Sequence, residues 1–152
     1  MKILIIYDSI YGNTEKVALA ILKGLNRGGE TDVKCERVNN LEKEDLSQYK
    51  AIVIGTPTHA LNMSQKISEF CYSKVKEIAH DTIIVSFDTR FNVEGVTGAS
   101  EVIKNFFEKQ GKRIMEHSLC CYVEGMEGPL AQEELSKSED FGKTLAQKLK
   151  EL

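Results

Sequence analysis

The chain has 152 residues, 41% of them apolar and 28% charged, with a formal net charge of -3. That length suits one compact domain, and the charge balance, with no Lys/Arg stripe, argues against a nucleic-acid surface. No apolar run approaches the roughly 20 residues a membrane helix requires, and the opening residues lack the layout of a secretory leader.

Ile3-Leu4-Ile5-Ile6 is an unbroken apolar run, the mark of a strand covered on both faces. Ser9-Ile10-Tyr11-Gly12-Asn13-Thr14 follows. Val17, Ile21 and Leu25 then recur every fourth residue beside Ala18 and Leu22, which predicts an amphipathic helix. A strand that passes through a tight turn into a helix start leaves backbone N–H groups unpaired at the positive end of the helix dipole, and an anion fits there. Ser9 and Thr14 bring hydroxyls, Asn13 an amide, and Gly12 the freedom to take a positive φ. No Lys or Arg stands between Tyr7 and Glu15, so the Gly-Lys-Ser/Thr of a P-loop is excluded. The lone glycine likewise excludes a three-glycine dinucleotide fingerprint. Two readings remain: a single phosphate monoester held without metal or cation, or a capped helix start with a polar turn.

Asn26-Arg27-Gly28-Gly29 stops the first helix. Val33, Cys35 and Val38, diluted by Lys34, Glu36 and Arg37, predict an edge strand. The polar stretch 39–49 reads as a loop with a helical turn around 43–48, and its acidic part at 42–45 as a solvated face that could also guide a basic redox partner. Ala51 to Gly55 is a second buried strand, ended by Thr56-Pro57-Thr58-His59. A helix follows with Ile67, Phe70, Cys71, Val75 and Ile78 along one face. Thr82 to Phe87 is a third buried strand running into a long polar loop, Asp88 to Gly98. Val102, Ile103, Phe106 and Phe107 mark a helix closed by Gly111, and Arg113 to Val123 reads as the last strand. After a glycine-rich connection at 124–129, Phe141, Leu145 and Leu149 line the closing helix. Its first turn is expected at or after Gly142, because a glycine inside a helix costs about 1 kcal/mol against alanine.

Cys35, Cys71, Cys120 and Cys121 show neither Cys-x-x-Cys nor a metal spacing, which reads as reduced core thiols in a cytoplasmic protein. Adjacent residues on a strand face opposite ways, so Cys120 and Cys121 are read as inert rather than as a redox pair. His80 and His117 have no partner at ligand spacing, and Asp8 reads as a loop-shaping or helix-start residue rather than a phosphoacceptor. Strands and helices alternate, which predicts an α/β fold with right-handed crossovers and a doubly wound parallel sheet. Ligands of such sheets lie beyond the carboxyl ends of the strands. Three loops satisfy that condition, 8–14, 56–63 and 88–98.

Several stretches resemble one family over nearly the whole chain. Ser9-Ile10-Tyr11-Gly12-Asn13-Thr14 is similar to the flavodoxin phosphate loop, Thr/Ser-x-x-Gly-Asn-Thr after the first strand. Gly55-Thr56-Pro57-Thr58-His59 resembles the Gly-x-Pro-Thr-Tyr stretch of the same family. Phe87-Asp88-Thr89-Arg90 and Glu124-Gly125 through Gly128-Pro129-Leu130 look like segments of its short bacterial and archaeal members. The resemblance implies one domain over 1–152 with a five-stranded parallel sheet in the order 2-1-3-4-5, and flavin mononucleotide (FMN) at its carboxyl edge. By position it assigns the phosphate to Ser9, Tyr11, Gly12, Asn13 and Thr14. Thr56, Pro57, Thr58, His59 and the residues up to Met63 would flank one side of the flavin ring, and Asp88, Thr89, Arg90 and Phe91 the other. Both loops would offer backbone hydrogen bonds to the ring's polar edge. The chain departs from the family in having no Trp, which leaves His59 and Phe91 as the stacking candidates. It also has no glycine in 56–63, which leaves Asn62 as the residue to accept a positive φ. Arg90 would either reach the pyrimidine edge of the ring or pair at the surface with Asp88 or Glu94.

The implied function is electron transfer between redox partner proteins, a reductase and an acceptor, by a monomer or weak dimer that needs no catalytic acid, base or nucleophile. The alternative is an FMN-dependent NAD(P)H:quinone-type oxidoreductase, because Pro57 to Met63 looks somewhat like the corresponding loop of those enzymes. A receiver-like module is a third class, disfavoured because no acidic pair accompanies Asp8.

Overall fold

A computed structural model describes residues 1–152. Its strands are β1 (Lys2–Tyr7), β2 (Asp32–Arg37), β3 (Ala51–Pro57), β4 (Ile83–Phe91), β5 (Arg113–Ile114) and β6 (Leu119–Val123). Between and after them run α1 (Asn13–Gly28), α2 (Gln65–Lys74), α3 (Ala99–Lys109) and α4 (Glu134–Lys150). All strand pairs are parallel, in the order β2-β1-β3-β4, with β5 and β6 both on the outer side of β4. The expected order 2-1-3-4-5 holds, with its fifth position divided. The single strand anticipated over 113–123 breaks at Met115–Ser118, where exposed Glu116 and His117 offer no apolar face. Lys104 of α3 donates to the Glu116 carbonyl there at 2.9 Å.

Alternation along the central strands splits the interior into two cores. Ile3, Ile5, Val53, Val85 and Phe87 face α1 and α4, while Leu4, Ile6, Ile52, Ile54 and Ile84 face α2 and α3. This is why the central strands read as unbroken apolar runs: each residue meets a helix on one side or the other. The stretch 39–49 is less of a solvated loop than its composition implies, since Leu41, Leu46 and Tyr49 are buried in the second core. Its helical content is two short 3-10 turns, Val38–Asn40 and Leu46–Gln48, so Val38 lies outside the edge strand.

Two boundaries move further. β4 continues through Asp88, Thr89, Arg90 and Phe91, which corrects the loop expected from Asp88 onward. Asp88 and Thr89 pair with Thr56 and Pro57 on one side, and Asp88 to Phe91 pair with Cys120 to Val123 on the other. Ladder partners on both flanks override the polar composition of this segment. α4 begins at Glu134 and holds Gly142 in its interior. A Cβ at Gly142 would collide with the Ile21 carbonyl of α1, and one at Gly24 with the Glu139 carbonyl of α4. The two helices therefore touch backbone to backbone, and this contact outweighs the helix propensity lost.

The two margins of the sheet are protected differently. Tyr122 N–H of β6 donates to Glu134 Oε2 at 2.8 Å, its carbonyl accepts from Ala131 N–H at 2.9 Å, and the Cys120 carbonyl accepts from Lys137 Nζ at 2.7 Å. At the other margin β2 carries Asp32, Lys34 and Glu36 at alternate positions, the first two exposed, and Lys34 pairs with Glu44 at 2.7 Å.

Candidate functional site

The turn after β1 is built around Ser9. Its Oγ accepts from Gly12 N–H at 3.1 Å and Glu15 N–H at 3.3 Å, which curls the chain into the start of α1. Gly12 takes φ 91 with open space where a side chain would stand, so its conformation is what requires glycine. The backbone N–H groups of Ile10, Tyr11, Asn13 and Thr14 have no acceptor in the protein. Four such donors at the positive end of a 16-residue helix are the donor set that an anion site requires. Thr14 Oγ1 shares a hydrogen bond of 2.9 Å with Thr89 Oγ1, which ties the turn to β4. The Asn13 amide donates to the Glu127 carbonyl at 3.2 Å and so fastens the turn to the 124–129 connection. A cation also serves the turn from behind, although none is near in sequence. Arg37, the last residue of β2, donates to the Ser9 carbonyl at 3.1 Å and pairs with Glu15 at 2.5 Å. The phenol of Tyr7 donates to Glu15 as well, and burial first, then the Glu15 charge, push its pKa up to about 12.

A cleft of about 440 Å³ opens beside this turn, at the carboxyl ends of β1, β3, β4 and β6. Ser9, Tyr11, Asn13 and Thr14 form its polar end. Pro57, Thr58 and His59 line one flank, and Thr89, Arg90 and Phe91 the opposite one. Ile10 and Ala60 join the wall, as do Val123 and Met126, which sequence reasoning did not place there. Val123 ends a parallel strand and Met126 lies in the connection after it, so the rule that brought the other loops to this edge would have found them too. No carboxylate, thiol or lysine lines the cleft.

Three residues assigned with these do not face it. Gly12 shapes the turn, its N–H given to Ser9 Oγ. Thr56 is fully buried, and its hydroxyl accepts from Ser64 N–H at 2.9 Å to hold the approach to α2. Asp88, also fully buried, points to the opposite face of the sheet, where Oδ2 accepts from Ser100 N–H in the first turn of α3 at 2.8 Å. The other oxygen of Asp88 lies 3.3 Å from Arg90 Nε and accepts no hydrogen bond. Arg90 is half-buried rather than a surface residue, with Nη1 donating to the Val96 carbonyl at 3.1 Å and Nε to Cys120 Sγ at 2.6 Å. Burial pushes the Cys120 thiol up, with Arg90 opposing, and burial takes Cys121 to about 11. The two thiols lie on opposite faces, Cys121 against Ser138 of α4.

His59 is exposed at the cleft mouth and closes a tight turn with Asn62, each backbone N–H donating to the other's carbonyl at 2.8 and 2.9 Å. The positive φ angles of this turn fall on Ala60, at 46, and Leu61, at 69, while Asn62, the residue best able to accept one, does not take it. In the segment 88–91, Asp88 and Thr89 have ladder partners on both sides, whereas Arg90 and Phe91 are paired on the β6 side alone.

A model of the flavodoxin domain matches residues 4–137. The chain belongs to the flavodoxin family. Among its relatives, a flavodoxin of Clostridium saccharobutylicum is 32% identical over 100 residues, covering 66% of this chain and 54% of that one. The uncharacterized protein MJ0732 of Methanocaldococcus jannaschii is 30% identical over 149 residues, 95% of this chain and 36% of its own. This flavodoxin-family chain thus spans between about a third and about half of the length of these curated relatives. Among solved structures, a flavodoxin from the domain Archaea superposes with a TM-score of 0.84 at 22% identity, covering 99% of each chain.

Proposed function

We propose that the cleft holds FMN, with the phosphate in the turn of residues 9–14 and the ring between the Pro57–Ala60 and Thr89–Phe91 walls, and that the protein carries electrons between a reductase and an acceptor. One observation supports this above all: four unpaired N–H groups at the start of α1 open onto an apolar-walled cleft containing no acidic group. A phosphomonoester dianion needs such donors and is repelled by an unpaired carboxylate lining its site. The volume lies in the range of cofactor pockets, roughly 300–1,000 Å³. Tyr11 and Phe91, each 49% exposed, supply aromatic faces in place of the absent Trp.

FMN bound there would supply the redox chemistry. The residues of the chain bind and orient it. Ser9 and Thr14 hydroxyls and the free N–H groups would hold the phosphate, and Pro57, Ala60, Val123 and Met126 would cover apolar surface.

Purified protein mixed with FMN should turn yellow, and a colourless protein at micromolar FMN would end this reading. Ser9→Ala combined with Thr14→Ala should weaken FMN by about 1–3 kcal/mol, the worth of two hydrogen bonds, and leave riboflavin nearly unchanged. Equal weakening of both ligands would mean that the phosphate lies elsewhere. The exposed mouth at His59 and Ala60 keeps the NAD(P)H:quinone reading in play. Anaerobic bleaching of the bound flavin by NADH or NADPH would favour that reading, and its absence the carrier.

A further inference from the structure

We propose that Arg37 is the positioning residue of the phosphate turn, a cation that aims the donors of the turn through the backbone without touching the ligand. The proposal rests on the FMN reading of the cleft. Arg37 stands opposite Tyr7 in the β1–β2 register, and its guanidinium crosses the Tyr7 ring with Cζ 5.5 Å from the centroid. From there its fork reaches both ends of the turn. Nη1 donates to the Ser9 carbonyl at 3.1 Å, and Nη2 meets Glu15 Oε2 at 2.5 Å.

The Ser9 carbonyl and the Ile10 N–H belong to one peptide group. In a planar trans peptide the C=O and N–H point in opposite directions. Holding the carbonyl back toward Arg37 therefore turns the Ile10 N–H away from it, toward the anion site. Ile10 N–H is one of the four donors without an acceptor.

The second arm of the fork acts on charge. Glu15 sits in the first turn of α1, where a carboxylate favours the helix but repels a bound phosphate. Arg37 and the Tyr7 phenol both engage Glu15, which holds it on the rear of the turn with its charge matched. Lysine cannot reproduce this arrangement, because a single ammonium lacks the planar fork that spans two acceptors.

The experiment compares wild type, Arg37→Gln and Arg37→Lys in FMN and riboflavin titrations, with amide NMR spectra recorded during addition of inorganic phosphate. Arg37→Gln should weaken FMN at least tenfold and change riboflavin less than twofold. Arg37→Lys, the gentler change should the first variant fold poorly, should weaken FMN about threefold or more with the same selectivity. In wild type, inorganic phosphate should shift the Ile10 amide, and the variants should need about tenfold more phosphate for the same shift. Unchanged FMN affinity in both variants, or equal loss of FMN and riboflavin, overturns the proposal. If wild type binds no flavin while phosphate still moves the Ile10 amide in an Arg37-dependent way, the positioning role stands and the FMN reading fails. If phosphate moves no amide of the turn in wild type, the positioning role fails.

Discussion

Ala60 and Leu61 hold backbone angles that L-residues rarely adopt, with φ of 46 and 69, in the turn closed by His59 and Asn62. The left-handed region costs a non-glycine residue roughly 1–2 kcal/mol, of which glycine's greater freedom in the unfolded chain takes back about half. Leu61→Gly should therefore stabilise the protein by about 0.5–1 kcal/mol, read as a higher urea midpoint at constant slope. Intrinsic preference singles out only Asn62 as tolerant of such angles in this stretch. What decides is closure, since a two-residue hairpin turn imposes positive φ on its central pair whatever they are. Tyr7 leads to a second prediction. Burial, then Glu15, lift its phenol to about 12 from an unfolded value near 10. The folded state thus favours the neutral phenol, a contribution complete below pH 10 and lost as pH rises toward 12. Denaturation titrations across that window should show falling stability, with a shallower fall in Tyr7→Phe. Tyr49, raised still further by burial and Glu44, keeps the fall from vanishing.

At the scale of elements, the contact of α1 with α4 shows where periodicity misleads. Gly142 read as a helix start because its cost within a helix is about 1 kcal/mol. The partner that repays that cost, the Gly24 backbone, is more than a hundred residues away and left no local trace. Gly142→Ala should gain the propensity and still destabilise by about 1–3 kcal/mol, since the new methyl meets carbonyl and amide atoms that cannot swing aside. A thermal melt checks the sign. Asp88 is the parallel case for strands. Its charge marked it as loop, yet it is fully buried, with the α3 N-terminus and Arg90 as its partners. Asp88→Ala leaves a half-buried guanidinium and the Ser100 N–H unmatched, and about 3 kcal/mol should be lost in urea. The apolar strands were legible because a two-faced environment writes itself into four or five consecutive residues. The Arg37 contact was not, because a cation that arrives from a neighbouring strand has no spacing to betray it.

For the molecule as a whole, a ligand that binds only the folded chain raises its stability. FMN at about one hundred times its dissociation constant should add about 2.7 kcal/mol and raise the melting point by roughly 5–10 °C. Riboflavin at equal concentration should add less, by the share that the turn at 9–14 contributes. The arrangement of the sheet could be read from alternation alone, since each apolar strand followed by an amphipathic helix leaves few topologies open. The closure of its outer rim could not, because Glu134 meets Tyr122 only once α4 has folded back. That closure bears on colloidal behaviour. A sheet whose last strand is already latched by a carboxylate and an ammonium, and whose first carries charged side chains along its open edge, discourages a neighbouring molecule from adding a strand and growing a fibril. Unlatching it with Glu134→Ala should let concentrated samples seed thioflavin-positive aggregates while the parent stays clear.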